Sequence, residues 1–495
     1  MIIHLLTNIQ SKHLNSLLFV EYYKLFQMKT KLLNFMFLLS FSVIFAQAGH
    51  IMQGVGAVNM SMGGAATAQP LDISGALQWN PATISAFDDK IIKLDIGLFF
   101  SSPELSSTFG PLTGVTKDDR GLSPMPALAM VWGKEGSKHT FGASAFGISG
   151  FGVTFPENTN YPQDLQMNPN PNYNPNENSN PINFPQFAGG FGHIESDYML
   201  LQVGFTWAYE LSDKFSIGVE PTFNYAALEL APNPLAAASP TLGYPTSDKA
   251  SATGFGAQFG LFFDSGTGFK AGASYKTNQS FSKFDFKNTY LEGSSAPNVN
   301  FQMDYPSILS FGLGYSNDAI DLALDYRSVN YENTEGFEAS GWTIAESGPS
   351  QGFPTGAVNG FGWENISIIS AGLQYKGVDK LPLRVGYTYS SNPINDDLAF
   401  FSIPATAIIK NAFQLGLSYE ANSNWRFDAV YHYGSSGDAT SGPMMNPTPT
   451  GFGGPWDATN NPLGVVPGTE VSYKMTTSMI QFGVSYKFIK KQENN

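Results

Sequence analysis

Ile480-Gln481-Phe482-Gly483-Val484-Ser485-Tyr486-Lys487-Phe488 decides how this chain folds. Every second side chain is apolar or aromatic, and those between are Gln, Gly, Ser and Lys. Successive strand residues point to opposite faces, so this segment shows one apolar face and one small or polar face. Working back as far as Ile91, segments of roughly ten residues repeat the pattern. Short turns and long loops rich in Gly, Pro and Asn separate them by turns. Alternation repeated segment after segment, with a wet lumen on one side and lipid on the other, describes a transmembrane β-barrel.

The composition agrees. Of 495 residues only 13% are charged, against a usual ~25%. Aromatics reach 14% and there are 51 Gly. A barrel wall needs few charges, because half of it faces lipid, and aromatic girdles mark its two interfaces. The chain has no Cys, which excludes a disulfide framework, a Cys-based metal site or nucleophile, and a lipid anchor through Cys. A net charge of -14 argues against nucleic acid as a partner.

Residues 32–45, LLNFMFLLSFSVIF, are the one long apolar run, and too short for a comfortable membrane helix. Lys29 and Lys31 precede the run and Ala46-Gln47-Ala48 comes after it. Basic start, apolar core and A-x-A end make residues 28–48 a secretory signal peptide, cleaved after Ala48 or after Gln47, with a retained membrane anchor as the alternative. Residues 1–27 read as an extension produced by placing the start codon ahead of Met28. With the signal removed, a closed barrel is the remaining way to cross a bilayer.

Residues 49–90 do not alternate. They are rich in Gly, Ala and Met and read as a compact plug ahead of the first strand. Strands are expected at about 91–100, 126–133, 139–152, 197–210, 215–230, 253–263, 268–286, 304–315, 319–331, 363–376, 381–391, 411–420, 425–434 and 473–488. These fourteen make an even number, as single-chain bacterial barrels need. The seventh needs a bulge or bend to run so long. The barrel thus spans 91–488, leaving 489–495 as a tail. Short periplasmic turns alternate with long external loops. The loop at 153–196 is too rich in Asn and Pro to be wall, and reads as a solvated surface loop.

Phase assigns the faces. Arg384, Arg426, Asp428, His432, Asp321, Asp325 and Arg327 point inward, because a cation on the lipid face near the midplane costs ~2–4 kcal/mol. Many inward positions are Gly, among them Gly218, Gly272, Gly312, Gly386 and Gly416. A bare inner wall leaves room for a bulky occupant, and the plug is the natural one.

The plug carries Gly54-x-Gly56, Gly63-Gly64-Ala65, Asp72 and Asn80-Pro81-Ala82, with a strand after them. This arrangement resembles the FadL family of outer-membrane long-chain fatty-acid transporters, whose N-terminal hatch carries an NPA motif. Ala48-Gly49-His50 is similar to that family's mature start, if cleavage occurs after Gln47. Leu383-Arg384-Val385-Gly386-Tyr387 and Gln414-Leu415-Gly416-Leu417-Ser418-Tyr419 are further echoes. The tail and the Asn/Pro loop depart from the family pattern.

The resemblance implies an all-β, fourteen-stranded antiparallel barrel plugged by the hatch. It implies a ligand site beside the mature N-terminus and lateral exit at a kinked third strand. Gly147, Gly150 and Gly152 crowd the third strand here, and Gly within a strand often marks a bulge; they would also serve to relieve crowding against the plug. Ile51, Met52, Val55, Val58 and Met60 supply apolar surface for a ligand, or simply pack the plug. Asn80, Pro81 and Ala82 are candidate gating residues, or a turn capping a short helix. A fatty-acid carboxylate needs a cation. Arg384 ranks first, since no acid stands beside it on its strand.

No Gly-x-Ser-x-Gly elbow, His-x-x-x-His or paired-carboxylate motif supports catalysis or a metal site. No nucleotide or energy-coupling box is visible, so no cofactor is expected. The expectation is a monomeric channel in outer-membrane lipid for passive uptake of hydrophobic molecules, first long-chain fatty acids, alternatively aromatic hydrocarbons. The alternative of another class is an adhesin barrel with a static plug.

Overall fold

The computed structural model describes residues 49–134 and 136–489. The signal peptide, the segment before it and nearly all of the tail lie outside the described residues. Among those described, no helix is long and apolar enough to cross a membrane.

Fourteen antiparallel strands close the barrel. They are β1 (Lys90–Phe109), β2 (Ser123–Trp132), β3 (His139–Phe155), β4 (Ile194–Ser212), β5 (Phe215–Ala231), β6 (Ala250–Asp264) and β7 (Phe269–Lys276). The second half is β8 (Ser307–Ser316), β9 (Ile320–Asn330), β10 (Ile366–Tyr375), β11 (Leu383–Ser390), β12 (Asn411–Glu420), β13 (Trp425–Ser435) and β14 (Thr469–Phe488). Each pairs with the next, and β14 closes on β1 along its length, from Lys90↔Phe488 to Phe109↔Thr469. Alternation sets the faces: Leu313, Leu324 and Phe482 are about half exposed toward lipid, whereas Asp325, Arg327, Arg384 and Asp428 are buried inside. Short turns lie on one rim and long loops on the other, so the short-turn rim is periplasmic.

The expected seventh strand, 268–286, is too long. Pairing with β6 holds to Gln258↔Lys276. The chain bends over 277–279, where the buried Gln279 accepts from Thr222 and Asn224 on the lumen side. It touches β6 again at Ser280–Phe281 and then leaves the wall. Phe284–Thr289 forms an outer hairpin with Ser295–Phe301. Another element not foreseen is the arm Leu112–Lys117, which folds back on β1. Its free edge is covered by the Asn/Pro loop: the Asn178 amide accepts from the Val115 N–H at 2.7 Å and donates to the Val115 carbonyl at 3.0 Å. An uncovered edge would invite pairing with another chain.

Residues 49–86 fill the lumen and are almost entirely buried. They form α1 (Ala57–Ser61), α2 (Ile73–Trp79) and a 3-10 turn at Pro81–Ala86. Asp72 caps α2 by accepting from the Gly75 N–H, and Asn80 caps the 3-10 turn through the Ala82 N–H. The inward glycines make room for this segment. A Cβ on Gly386 would lie 2.2 Å from the Gly63 nitrogen, and one on Gly218 2.3 Å from the Ala82 nitrogen.

Charges bolt it to the wall from residue 57 onward. Asp95 accepts from the Ala57 N–H and the Ser74 hydroxyl. Lys93 bridges Asp72 to Asp428 and Asp95. Asp325 accepts from the Ala66 and Thr67 N–H groups at 3.0 and 2.9 Å. Arg327 pairs with Asp325, donates to the Gly64 carbonyl, and lies 3.7 Å over the Trp79 ring. Arg327 and Arg426 thus pair with acids on their own strands, Asp325 and Asp428, and both acids also hold the inner segment, Asp325 directly and Asp428 through Lys93.

Asp325→Ala leaves Arg327 as an uncompensated buried charge, which costs about 3–5 kcal/mol. The expected outcome is a large drop in the urea midpoint, monitored by gel mobility of folded against unfolded barrel. Lys117→Ala, which removes an exposed pair, should shift stability by under about 0.5 kcal/mol. Equal midpoints for the two variants would refute the anchoring role of Asp325.

Candidate functional site

The hydrogen-bond ladder opens at one place in the upper wall. Pairing between β2 and β3 runs only from Trp132↔Phe141 to Ala127↔Phe146. Above that, Ser123–Pro126 stays paired with β1 alone. Of the wall strands only β4 pairs with Gly147–Phe155, and the register slips at Ile148, between Gly147 and Ser149. Both edges are built for this. Pro124 and Pro126 offer no N–H groups, and proline is tolerated at edges and bulges. Gly147, Gly150 and Gly152 stand opposite.

A strap closes the top of the gap. The Asp119 N–H donates to the Thr154 carbonyl, and the Asp118 carboxylate accepts from the Thr154 N–H. Arg120 reaches past Gly152 to the Ser196 carbonyl and pairs with Asp197, which Lys249 also pairs. A Cβ on Gly152 would lie 2.1 Å from the Arg120 Nη1, so this position has no room for a side chain.

Behind the gap lies a cavity of about 490 Å³, within the ~300–1,000 Å³ of small-molecule sites. It passes through the wall. Tyr198 and Leu200 face the lumen while Met199 and Leu201 face lipid, yet all four line it. Met125, Phe151 and Met475 add apolar surface. Its inner end is formed by Gly49, His50 and Met52.

These inner residues join the edge of the kinked strand. The Met52 N–H donates to the Ile148 carbonyl at 2.9 Å, and the Gly150 N–H and the Ser149 hydroxyl donate to the His50 carbonyl. Ile51 bridges Ser149. Farther along, the Gln78 side chain accepts from the Val55 N–H and donates to the Met52 carbonyl, and the Trp79 indole donates to the Gln53 carbonyl. All of these bonds are between neutral groups.

His50 sits among five rings. Phe337 stacks on it at 5.0 Å, with Tyr331, Tyr305, Trp363 and Tyr198 at 5.4, 5.7, 5.9 and 6.2 Å. Four of these rings come from the strand ends and loops of the outer rim. Burial pushes the imidazole down to about 3. Burial likewise pushes the Tyr305 and Tyr331 phenols upward.

The sequence-derived candidates divide. Met52, Gly147, Gly150 and Gly152 line the cavity, and Ile51 pairs with its rim. Val55, Val58 and Met60 are buried within the inner segment and do not line it. Arg384 is also buried away from it, donating to Gln374 and Ser418 near the periplasmic rim. Asn80, Pro81 and Ala82 lie against the wall. The Asn80 amide donates to the Thr67 and Leu261 carbonyls at 2.7 and 2.9 Å. Sequence reasoning missed Arg120, His50 and the rings around it. The Ser-Pro-Met-Pro stretch at 123–126 was the legible sign of a broken pairing.

Solved structures share this architecture. The Pseudomonas putida toluene transporter TodX matches with a TM-score of 0.60 at 17% identity, covering 89% of this chain and 100% of that one. A Pseudomonas aeruginosa FadL homologue matches with a TM-score of 0.62 at 14% identity, covering 89% and 100%. The Ralstonia pickettii toluene transporter TbuX matches with a TM-score of 0.55 at 17% identity, covering 88% and 99%. Comparison with the curated proteins finds no match. The family model for the outer membrane protein transport protein (OMPP1/FadL/TodX) matches residues 178–475. The chain belongs to this family of outer-membrane transport proteins.

Proposed function

We propose that this barrel passes neutral hydrophobic solutes, monoaromatic hydrocarbons among them, from the outside into the membrane through the gap between β2 and β3. The observation that carries this reading is the apolar cavity that crosses the wall, lined by both faces of β4. An apolar solute gains ~0.8 kcal/mol per CH₂ by staying out of water, so a sideways route suits it. The similarity to two toluene transporters supports the solute class.

Residues 49–56 act as the gate. Neutral hydrogen bonds hold them, each worth ~0.5–1.5 kcal/mol net, while charge-assisted bonds of ~1.5–3 kcal/mol hold the segment from residue 57 onward. Asn80-Pro81-Ala82 then serves as the fixed anchor against which the gate moves. Long-chain fatty acids are the second reading, favoured by Arg120 on the cavity rim. Their carboxylate would have to share that guanidinium with Asp197. An adhesin with a static plug accounts for neither the cavity nor the gap.

Deleting Ile148 removes the residue that slips against β4 and straightens β3, which narrows the gap beside β2. Uptake of labelled toluene and oleate, in cells lacking a hydrophobic channel of their own, should then fall at least tenfold with the barrel still inserted. Wild-type rates in that variant would sink lateral exit. Uptake of neither solute by the unaltered protein would sink the transport reading for both classes.

The gate should also respond to pH. In a released N-terminal segment the His50 side chain titrates near ~6.5, whereas docked His50 is held down to about 3. Below pH ~6.5 the released form binds the extra proton, so docking weakens as pH falls through that value toward 3. From pH 7.5 to 5.5 the loss is about 1.4 kcal/mol. Opening frequency in planar bilayers should rise about tenfold over that range. His50→Phe should abolish the dependence; its persistence in that variant would assign it to another group.

A further inference from the structure

We propose that His50 presents its Nε2–H to the cavity as a recognition group for an oxygen atom, so that the solutes bound are neutral aromatic molecules bearing a carbonyl, ether or hydroxyl oxygen. This inference rests on the cavity reading above and names the solute class of that site.

His50 lines the cavity, is 1% exposed, and its Nε2 has no hydrogen-bond partner among the described residues. Buried polar atoms are nearly always paired. An orphan therefore points to a partner that arrives with the solute.

Counting donors fixes the sign of that partner. Nδ1 lies 2.7 Å from the Tyr331 hydroxyl. If Nδ1 carried the proton, the phenol proton and the Nε2 lone pair would both be left unmet. If Tyr331 donates to Nδ1, a single group is left over, the Nε2–H. The second arrangement leaves fewer unpaired groups, so Tyr331 acts as the positioning residue for the tautomer. The free group is a donor, and its complement is an acceptor oxygen.

The surroundings set the rest of the chemistry. Phe99, Phe151 and Tyr198 line the same cavity, so a flat ring bound beside His50 meets aromatic walls. A neutral imidazole offers no charge, and the one guanidinium on the cavity is already paired with Asp197. An ionised head group would enter without a counter-charge, at high cost.

Acetophenone and α-methylstyrene have nearly the same shape and differ by C=O against C=CH₂. Their dissociation constants from the full mature chain, folded in detergent at pH 8, are measured by equilibrium dialysis in sealed cells. The ratio of the two constants cancels most of what the variants share. His50→Phe should cut the preference for the ketone, expressed as that ratio, at least fivefold. His50→Gln, which restores an amide N–H near the Nε2 position, should keep it within twofold of wild type. A ratio unchanged by His50→Phe overturns the inference while leaving the cavity reading intact. A wild-type protein that binds neither solute overturns the cavity reading and the inference together.

Discussion

Lipid offers backbone N–H and C=O groups no partner, and this constraint orders the rest of the molecule. It is met by closing β14 on β1 along their length, so that no edge faces the membrane unpaired. Against that background a break in the ladder is expensive, and the break between β2 and β3 is equipped to bear it. Prolines withdraw donors from one edge. On the other edge, Ile148 and Gly150 hand their free groups inward to Met52 and His50. The strap at 118–120 serves the top in the same way through Thr154. The gap and the N-terminal segment are therefore one hydrogen-bonded device: the residues that satisfy the kinked strand also block the cavity from inside.

Two kinds of bond divide the inner segment. From residue 57 onward it is gripped by Asp95, Asp325, Arg327 and Lys93, all buried. Removing one partner from such a cluster strands a charge, so the clusters hold as units. Ahead of residue 57, neutral amide and carbonyl contacts to Gln78, Trp79 and β3 suffice. Gly56, at φ +84°, stands at the border between the two regimes. Local opening draws on the regions with the weakest contacts.

The wall was largely legible in the sequence because its physics is local. Period-two alternation comes from strand geometry, and inward charges at Asp325, Arg327, Arg384 and Asp428 from their cost in lipid. The glycines at 218, 272, 312, 386 and 416 announced an occupant. The seventh strand was overextended because alternation continues through Phe284 and Phe286, which face a loop core and not lipid. The site was read less well. Tyr198, Tyr305, Tyr331, Phe337 and Trp363 come from distant stretches, and no local pattern tells that they converge on His50. Arg384 looked like a free cation because its strand carries no acid. Its actual partners, Gln374 and Ser418, come from the neighbouring strands β10 and β12.

The placement of charge also favours the sideways route proposed above over a path down the lumen. Below the cavity, the inner segment and the lower wall interlock through Lys93, Asp72, Asp95, Asp428 and Arg426, with Arg384 beside them. A path straight down the lumen would have to part these pairs while an apolar solute passed, offering them nothing in return. Each charge so exposed to a greasy neighbour loses partners worth several kcal/mol. The proposed path through the wall would ask only that neutral hydrogen bonds at residues 50–52 be exchanged. Such a path would deliver the solute to a phase in which it is already soluble. On that proposal, the same ion pairs that lock the lower lumen leave the gap between β2 and β3 as the route of least resistance.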